Sequence, residues 1–429
     1  MNRRSAILVL SSFTGFVGSA AHAEFFQDAK SDLILQNYYF DSDYRNEKTA
    51  TRPQQSKKEE WAQGATLNFN SGYTEGKVGV GLDVSAMLGA KLYSSAETSG
   101  TGLLPTSTAT LAGEPSYAHN SKDGYARLGV TAKVKHENNI LKYGTLQPDN
   151  LPVLLPNNAR LFPQTFRGWS FESTQLQDVN FRMGRIDRVM QRDSSDYTDL
   201  GIDTGYTRYT QSRSSDAFSY AGLDYKISPD VQASYYFSQL KDTYDQHYLG
   251  LKVTKSLGQG KFTSDLRYFN SYDSGQALAG SISNQMYTSS FSYQLKHHLF
   301  NVGYQKVDGS EALPYLKGAG PYTPTTVMVS YFILPHESTW WLRYDYNFAG
   351  LGLPGLVLSN KYLHGSNARI TGNSAEQKEW ERDTELAYTV QSGKFKNLSL
   401  RLRHASFCSS LDRGIDQTRV ILTYTFHLK

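Results

Sequence analysis

Two arginines, Arg160 and Arg167, lie in a stretch that fits neither a helix nor a strand: residues 150–168, NLPVLLPNNARLFPQTFRG. A guanidinium group grips both oxygens of a carboxylate and stays charged at any relevant pH. The prolines of this stretch fix φ and remove backbone donors, which favours an irregular loop. Its apolar residues are Leu151, Val153, Leu154, Leu155, Leu161 and Phe162.

A loop that is both irregular and apolar needs a cavity to fold into. We therefore predict that residues 150–168 fold into the bore of a β-barrel and narrow it, presenting the two arginines to anions. The alternative is a packed surface loop whose arginines are incidental.

The elements that position these arginines are predicted from alternation with a period of two residues. In 125–135, YARLGVTAKVK, one face is apolar and the other carries Arg127 and Lys133. The segment 419–429 alternates in the same way, with Arg419 on its polar face. Short turns alternate with long polar loops, as in outer-membrane barrels. The long loops are predicted at 41–58, 88–123, 188–217, 308–338 and 364–380.

About eighteen strands are predicted, an even number that places both termini on the periplasmic side. A barrel of this size encloses an aqueous lumen. The predicted strands are 31–40, 60–70, 77–87, 124–135, 140–146, 168–176, 178–187, 218–227, 231–240, 247–256, 260–270, 285–295, 299–307, 339–348, 356–363, 381–390, 398–406 and 418–428. The alternating segment 326–333 is assigned to a long loop.

If the apolar face meets lipid, the opposite face lines the pore and is mainly basic. A basic excess in such a bore concentrates anions. The alternative is that these cations pair with lumen carboxylates and stiffen the wall. The predicted basic residues are Arg127, Lys133, Lys135, Arg182, Arg267, Arg343, Lys361, Arg401, Arg403 and Arg419; the acidic ones are Asp83, Asp265, Asp345, Asp383 and Glu385.

The first residues and the composition indicate export to a bacterial outer membrane. MNRR, a short apolar run and AHA before Glu24 predict a signal peptide, residues 1–23, cut after Ala23. Residues 24–429 form one predicted barrel domain. The mean hydropathy is −0.50 and 13% of the residues are aromatic, with 30 tyrosines. Such composition suits a barrel with aromatic girdles, and a secreted all-β carbohydrate-binding protein is the rival on composition alone.

Enzyme signatures are absent from the sequence, which lacks a phosphate-binding glycine loop, an H-E-x-x-H pair and a G-x-S-x-G elbow. Strand-like sequence begins near residue 31, which leaves no room for the plug domain of an energy-coupled receptor. The sequence therefore predicts a passive channel without cofactor or metal. The expected partners are outer-membrane lipids and lipopolysaccharide, small carboxylate solutes and the barrel-assembly machinery, with a homo-oligomer possible and no nucleic acid.

The chain also resembles the OprD-type substrate-specific porins of bacterial outer membranes, through motifs that run in order along nearly the whole mature chain. The main motifs are LILQNYYFDSDYR (33–45), EWAQG (60–64), SGYTEGKVGVGLD (71–83), KLYSSAETSGTGLLP (91–105), LKYGTLQPDNLPVL (141–154), ARLFPQTFRG (159–168), ISPDVQASYYFSQLKDTYDQHYLG (227–250), YQKVDG (304–309), WWLRYDYNFAGLGLPGL (340–356) and LAYTVQSGKFKNLSLRLR (386–403). One departure is the C-terminus, FHLK, where such barrels usually end on an aromatic residue.

The resemblance implies an eighteen-stranded barrel, a third loop that narrows the eyelet, and a ladder of basic residues that guides carboxylates. The ladder maps onto Arg127, Lys133, Arg343, Lys361, Arg401, Arg403 and Arg419, with Arg160 and Arg167 at the eyelet; Asp345 is added as an acidic lumen residue. The family divides broadly into channels for basic amino acids and channels for aromatic or other monocarboxylates. The second eyelet cation, Arg167, favours monocarboxylates such as benzoate or vanillate. Basic amino acids and small peptides are the alternative substrates, and a barrel enzyme or a plugged structural barrel are the competing functions.

Overall fold

The computed structural model describes residues 21–45, 55–109, 111–205, 207, 209, 211, 213–370 and 373–429. These residues form a closed antiparallel β-barrel of eighteen strands and one additional two-residue strand. The all-β barrel predicted from the alternation is thereby confirmed.

Consecutive barrel strands pair with each other, and the ring closes between the first strand and the last. The strands are β1 (Lys30–Arg45), β2 (Lys57–Asn70), β3 (Val78–Ser94), β4 (Gly124–His136), β5 (Asn139–Leu146), β6 (Thr165–Ser173), β7 (Val179–Met190), the two-residue β8 (Tyr197–Thr198), β9 (Phe218–Ser228), β10 (Val231–Leu240), β11 (Tyr244–Leu257), β12 (Gly260–Asp273), β13 (Ser283–Leu295), β14 (His298–Gly309), β15 (Ser338–Asn347), β16 (Leu356–Ile370), β17 (Asn373–Thr389), β18 (Leu398–Ser409) and β19 (Gly414–His427).

The two faces of the wall differ as the alternation predicts. On β4, Leu128 and Val130 are 63% and 43% exposed, whereas Arg127 and Lys133 are buried on the opposite face. On β15, Leu342 is exposed and its neighbour Trp341 is buried. Exposed apolar side chains on one face suit contact with lipid, and the polar face therefore lines the lumen.

The strands extend farther than the sequence predicts at the end that carries the long loops. Residues 41–45 continue β1, residues 88–94 continue β3, and residues 364–370 and 373–380 belong to β16 and β17. The predicted loop at 364–380 is therefore wrong. Outside the lipid a strand keeps its hydrogen-bonded ladder but no longer needs an apolar face, so the period-two signal is lost there.

A short helix, α1 (Ala21–Gln27), precedes the barrel and contacts its short-turn end. The Gly72 N–H donates to the Phe25 carbonyl at 2.8 Å, and the ring of Phe26 lies 6.4 Å from that of Phe69. Within the described residues, no helix is long and apolar enough to cross a membrane. Of the predicted signal peptide, residues 1–20 lie outside the described residues, and its cleavage stays a prediction.

Candidate functional site

Three loops from the same end of the barrel meet lumen-facing side chains. They are the loop 95–123 between β3 and β4, the loop 147–164 between β5 and β6, and the loop 310–337 between β14 and β15; we call them the constriction loops. The loop 147–164 reaches the loop 310–337 through a β-bridge between Leu155 and Gly320. The two loops together therefore cross the lumen.

Five of the six apolar side chains named for the loop 147–164 are buried and Leu155 is half-buried, as expected of an inward loop. Leu161 and Phe162 pack with Leu103 and Leu104 of the loop 95–123. The wall makes room for this contact at Gly64, where a Cβ would lie 2.9 Å from Leu161 Cδ1. At the other end of the loop, its leucines join a larger core cluster; Leu151 and Leu154 pack there with Phe166. The alternative of an incidental surface loop is excluded by this burial.

Arg160 is held by backbone oxygens and an aromatic ring. Its Nε donates to the Thr101 carbonyl at 2.6 Å and its Nη1 to the Ala159 carbonyl at 2.8 Å. The guanidinium lies 4.6 Å from the centroid of the Phe40 ring. Its Nη2 donates no hydrogen bond within the described residues, and no carboxylate of that part of the chain lies within ion-pair distance.

Arg419 approaches the same ring from the wall. Its guanidinium is 5.2 Å from the Phe40 centroid, and its Nη2 donates to the Met328 carbonyl at 2.8 Å. Arg419 is 2% exposed, and no described carboxylate pairs with it. Across β18 and β19 it lies directly opposite Arg403. Cations are therefore crowded on this side of the constriction.

A third unpaired guanidinium, Arg192, follows β7 and was not singled out by the sequence analysis. Its Nη1 donates to Asn157 Oδ1 at 3.0 Å, and it has no carboxylate partner in the described part of the chain. Burial lowers the pKa of Arg160 to about 9, and the positive charges of Arg419 and Arg192 act in the same direction. The three guanidiniums thus lie close enough to repel one another, so an anion placed between them is favoured. We call Arg160, Arg192 and Arg419 the arginine cluster.

Four of the seven residues of the predicted ladder form ion pairs with neighbouring carboxylates. Arg343 pairs with Asp345 at 2.7 Å, and Arg401 and Arg403 share Glu385 at 2.8 Å each. Lys133 pairs with Asp83 at 2.5 Å. Arg182 and Arg267 are likewise paired, with Asp224 and Asp265 respectively. These residues therefore fit the alternative interpretation, in which lumen cations pair with lumen carboxylates and stiffen the wall.

Arg127 and Lys361 have no carboxylate within ion-pair distance among the described residues. Arg127 donates from Nη1 to the Pro163 carbonyl and from Nη2 to Thr165 Oγ1, both at 2.8 Å. Lys361 donates to the Pro324 carbonyl. Both cations therefore fix a constriction loop to the wall.

Arg167 lies on β6 and not on the loop, which corrects its predicted position. β6 begins at Thr165, so the loop ends earlier than the proline pattern suggests. Its Nε is 2.8 Å from Asp187 Oδ1, and its side chain is 45% exposed. The strand register shifts between Arg167 and Gly168. No described contact joins Arg167 to the arginine cluster.

The acidic side chains beside the arginine cluster hold the loop 310–337. The two Glu381 carboxylate oxygens accept the N–H groups of Val329 and Ser330 at 2.8 and 2.7 Å. Asp383 Oδ2 accepts the Met328 N–H at 3.2 Å. The segment 326–333 is thus part of the loop, as predicted, but its contacts with the inner wall were not foreseen.

A cavity of about 690 Å³ lies in the lumen beside the loop 147–164. Its lining includes Arg127, Lys142 and Arg182, together with Asp149 and Glu172. The volume is sufficient for a small organic solute. Within the described residues, no group of three His, Cys, Asp or Glu side chains could hold a metal ion.

Comparison with known proteins identifies the same architecture. The family model described as outer membrane porin, OprD family, matches residues 23–428. A porin-like protein, GalP, of Pseudomonas putida is 34% identical over 410 residues, which cover 94% of this chain and 93% of the relative.

Two crystal structures of Pseudomonas aeruginosa proteins superpose closely. OccK9 (OpdG) is 37% identical with a TM-score of 0.87, and the match covers 94% of this chain and 100% of that one. OpdK, solved with vanillate, is 38% identical with a TM-score of 0.84 over the same shares of the two chains. The overall fold is therefore shared with these two solved structures.

Proposed function

This chain belongs to the OprD family of outer membrane porins, and we propose that it conducts small carboxylates, with a preference for aromatic monocarboxylates such as benzoate or vanillate. Family membership and the barrel fold make it a substrate-specific outer-membrane channel, and no enzymatic role is indicated. The identity of the solute is the part that we propose.

The arginine cluster carries the proposal. Arg160, Arg192 and Arg419 have no carboxylate partner within the described residues. Arg127 also lacks one, whereas the other predicted lumen arginines and Arg167 form ion pairs. A solute carboxylate can supply the missing negative charge and accept hydrogen bonds from free N–H groups such as Arg160 Nη2. We expect each contact to contribute about 1 kcal/mol, the net scale of one hydrogen bond, which allows both binding and release.

Three further observations support an aromatic anion over a basic amino acid. Rings lie beside the cluster: Phe40 is contacted by two of its arginines, and the Tyr38 hydroxyl donates to the Ala159 carbonyl at 3.1 Å. Glu381 and Asp383, the acids beside the cluster, already accept backbone N–H groups and are less available to a lysine or arginine solute. OpdK, whose structure was solved with vanillate, has a closely similar fold.

The test is reversal potential and solute-induced current block in planar bilayers, with benzoate and lysine compared at equal concentration. We expect anion preference and a stronger block by benzoate, both reduced in Arg160→Gln. Cation preference with a stronger block by lysine would replace this proposal by the basic-amino-acid alternative. Negligible conductance would indicate a plugged structural barrel.

Export and assembly complete the proposal. We propose cleavage after Ala23, so that the mature chain begins at Glu24, and N-terminal sequencing of the purified protein tests it. Insertion by the barrel-assembly machinery, contact with outer-membrane lipids and lipopolysaccharide, and a homo-oligomer are proposed with it. Cross-linking in intact cells, followed by mass spectrometry, tests these partners.

A further inference from the structure

We propose that Glu60 is a positioning residue for Arg160 and acts through Thr101. Glu60 touches no solute in this proposal; it fixes the loop 95–123, which in turn fixes the guanidinium of the constriction. This inference rests on the proposed function, because it concerns the residue that we assign to carboxylate binding.

Glu60 is a completely buried acid on β2, with no cation in ion-pair distance in the part of the chain that the structure describes. Its Oε2 accepts the Thr101 N–H at 3.1 Å and also the Thr101 hydroxyl. Its Oε1 accepts the hydroxyls of Ser94, at 3.0 Å, and of Ser121. A buried carboxylate is tolerated only when hydrogen bonds replace its water. Three of these four donors belong to the loop 95–123, so Glu60 favours the docked loop.

Thr101 connects Glu60 to Arg160, because it contacts both residues. Thr101 is 4% exposed, and its carbonyl oxygen accepts from Arg160 Nε at 2.6 Å. The loop backbone then approaches the guanidinium at Gly102, which adopts a φ of +78°; a Cβ there would lie 3.5 Å from Arg160 Nε. One loop residue therefore connects the buried carboxylate of Glu60 with the guanidinium of Arg160.

A second contact places Arg160 relative to the same strand. Phe40 and Glu60 are direct cross-strand partners on β1 and β2, and the Arg160 guanidinium lies over the Phe40 ring. Arginine is flexible, and fixing its orientation before binding reduces the entropy lost when a solute is bound. Glu60 and Phe40 together hold the cation with its Nη2 free.

The sign of the effect distinguishes positioning from simple electrostatics. Removing a negative charge from the lumen wall strengthens anion binding if only the electrostatic field matters. Loss of positioning has the opposite effect. In Glu60→Gln the amide has one acceptor oxygen and presents N–H groups to donors, so the loop 95–123 loses its anchor. We expect the benzoate block to weaken by about threefold to tenfold, the scale of one hydrogen bond.

The experiment measures the concentration of benzoate for half-maximal block in the full barrel for the wild type, Glu60→Gln, Arg160→Gln and the double variant. The matched control is Glu59→Gln, which removes the same charge one residue away, where the carboxylate pairs with Lys57. We expect the Glu60 effect to vanish in the Arg160→Gln background and the control to leave the block unchanged or slightly stronger.

The outcomes separate this inference from the proposed function. If Arg160→Gln leaves the block unchanged, the proposed function fails. If Arg160→Gln weakens the block and Glu60→Gln does not, or if the two effects are additive, the positioning role is overturned. Should Glu60→Gln not form a heat-modifiable barrel, Thr101→Val serves instead. It keeps the carboxylate and removes the hydroxyl donor, and an unchanged block in this variant would equally overturn the inference.

Discussion

Arg160 on a constriction loop and Arg419 on the last strand share one aromatic ring: their guanidiniums lie 4.6 and 5.2 Å from the centroid of Phe40. Two cations that repel each other are held close because the ring attracts both and backbone carbonyls accept their hydrogen bonds. The loop and the wall thus contribute one charge each to the same place, although the two residues are far apart in the sequence.

Arg419→Gln is expected to weaken the benzoate block several-fold and to reduce anion preference. The reason is the loss of one of the three charges of the arginine cluster, which we expect to change the binding free energy by about 1 kcal/mol. Reversal potentials and block measurements in bilayers check it. Arg167→Gln is the matched control: Arg167 is paired with Asp187 and should have a much smaller effect. Equal effects of both substitutions would remove the special role of the arginine cluster.

Phe162→Ala is expected to raise conductance and current noise and to lower selectivity. Phe162 is 1% exposed and packs against Tyr125 at a centroid distance of 5.3 Å, so truncation leaves a hole beneath the loop 147–164. Such truncations typically reduce stability by about 3–5 kcal/mol, and here we expect the loss to destabilise the docked position of the loop. Single-channel recording tests it, with Phe262→Ala on the wall as the control. Unchanged conductance would place the narrowest point elsewhere.

Docking of the loop 310–337 is expected to weaken as pH rises. Burial, and then the neighbouring Glu379, raise the pKa of Glu337 well above its usual value near 4.5. A raised pKa in the docked state means that the stabilisation is complete below 4.5 and is lost as pH rises towards the higher value. Current noise should therefore increase with pH.

Glu337→Gln removes the group that titrates and should make this noise independent of pH. Glu311→Gln, in the same loop, is the control and should keep the dependence. Noise that falls with increasing pH in the wild type would contradict the assignment.

Val130→Arg is expected to impair insertion. Val130 faces lipid on β4 with 43% exposure, and an arginine at the membrane midplane costs about 2–4 kcal/mol in such barrels. Heat-modifiability on gels and the yield in the outer membrane measure the effect, with Val130→Leu as the apolar control. Normal insertion of the arginine variant would show that the strand faces are reversed.

Alternation predicted all eighteen barrel strands, because lipid imposes an apolar side chain at every second position and this constraint is local. The same reasoning placed Arg127 and Lys133 on the inner face of β4, where the structure has them. It missed the outer ends of β16 and β17, where no lipid enforces the pattern. Apart from the end of β6, the predicted boundaries lie within one residue of the observed ones on the short-turn side, whereas several strands are predicted too short on the other.

The site was less predictable because loops have no period. The composition of 150–168 indicated an inward loop, but nothing local distinguished Arg160 from Arg167, whose roles depend on where β6 begins. Arg192 was missed because only its distance to Arg419 and Arg160 makes it notable. A search for arginines beside asparagine- and proline-rich loops would have found Arg160 and not Arg192. The pairs Arg343–Asp345 and Arg267–Asp265 lie two residues apart on one strand and are compatible with the alternation. The other lumen ion pairs depend on cross-strand register, which the sequence leaves open.

The seam between β1 and β19 has a consequence for biogenesis. Asp32 and His427, 395 residues apart in the chain, meet at 2.6 Å, and Leu428 donates its N–H to the Ser31 carbonyl at 2.8 Å. Strand β1 therefore cannot form its pairing with β19 until almost the last residue has been synthesised and exported. An unsatisfied strand edge invites pairing with other chains. The unfinished polypeptide must be shielded throughout transit, and a truncation of only the final dozen residues would leave an open, aggregation-prone sheet.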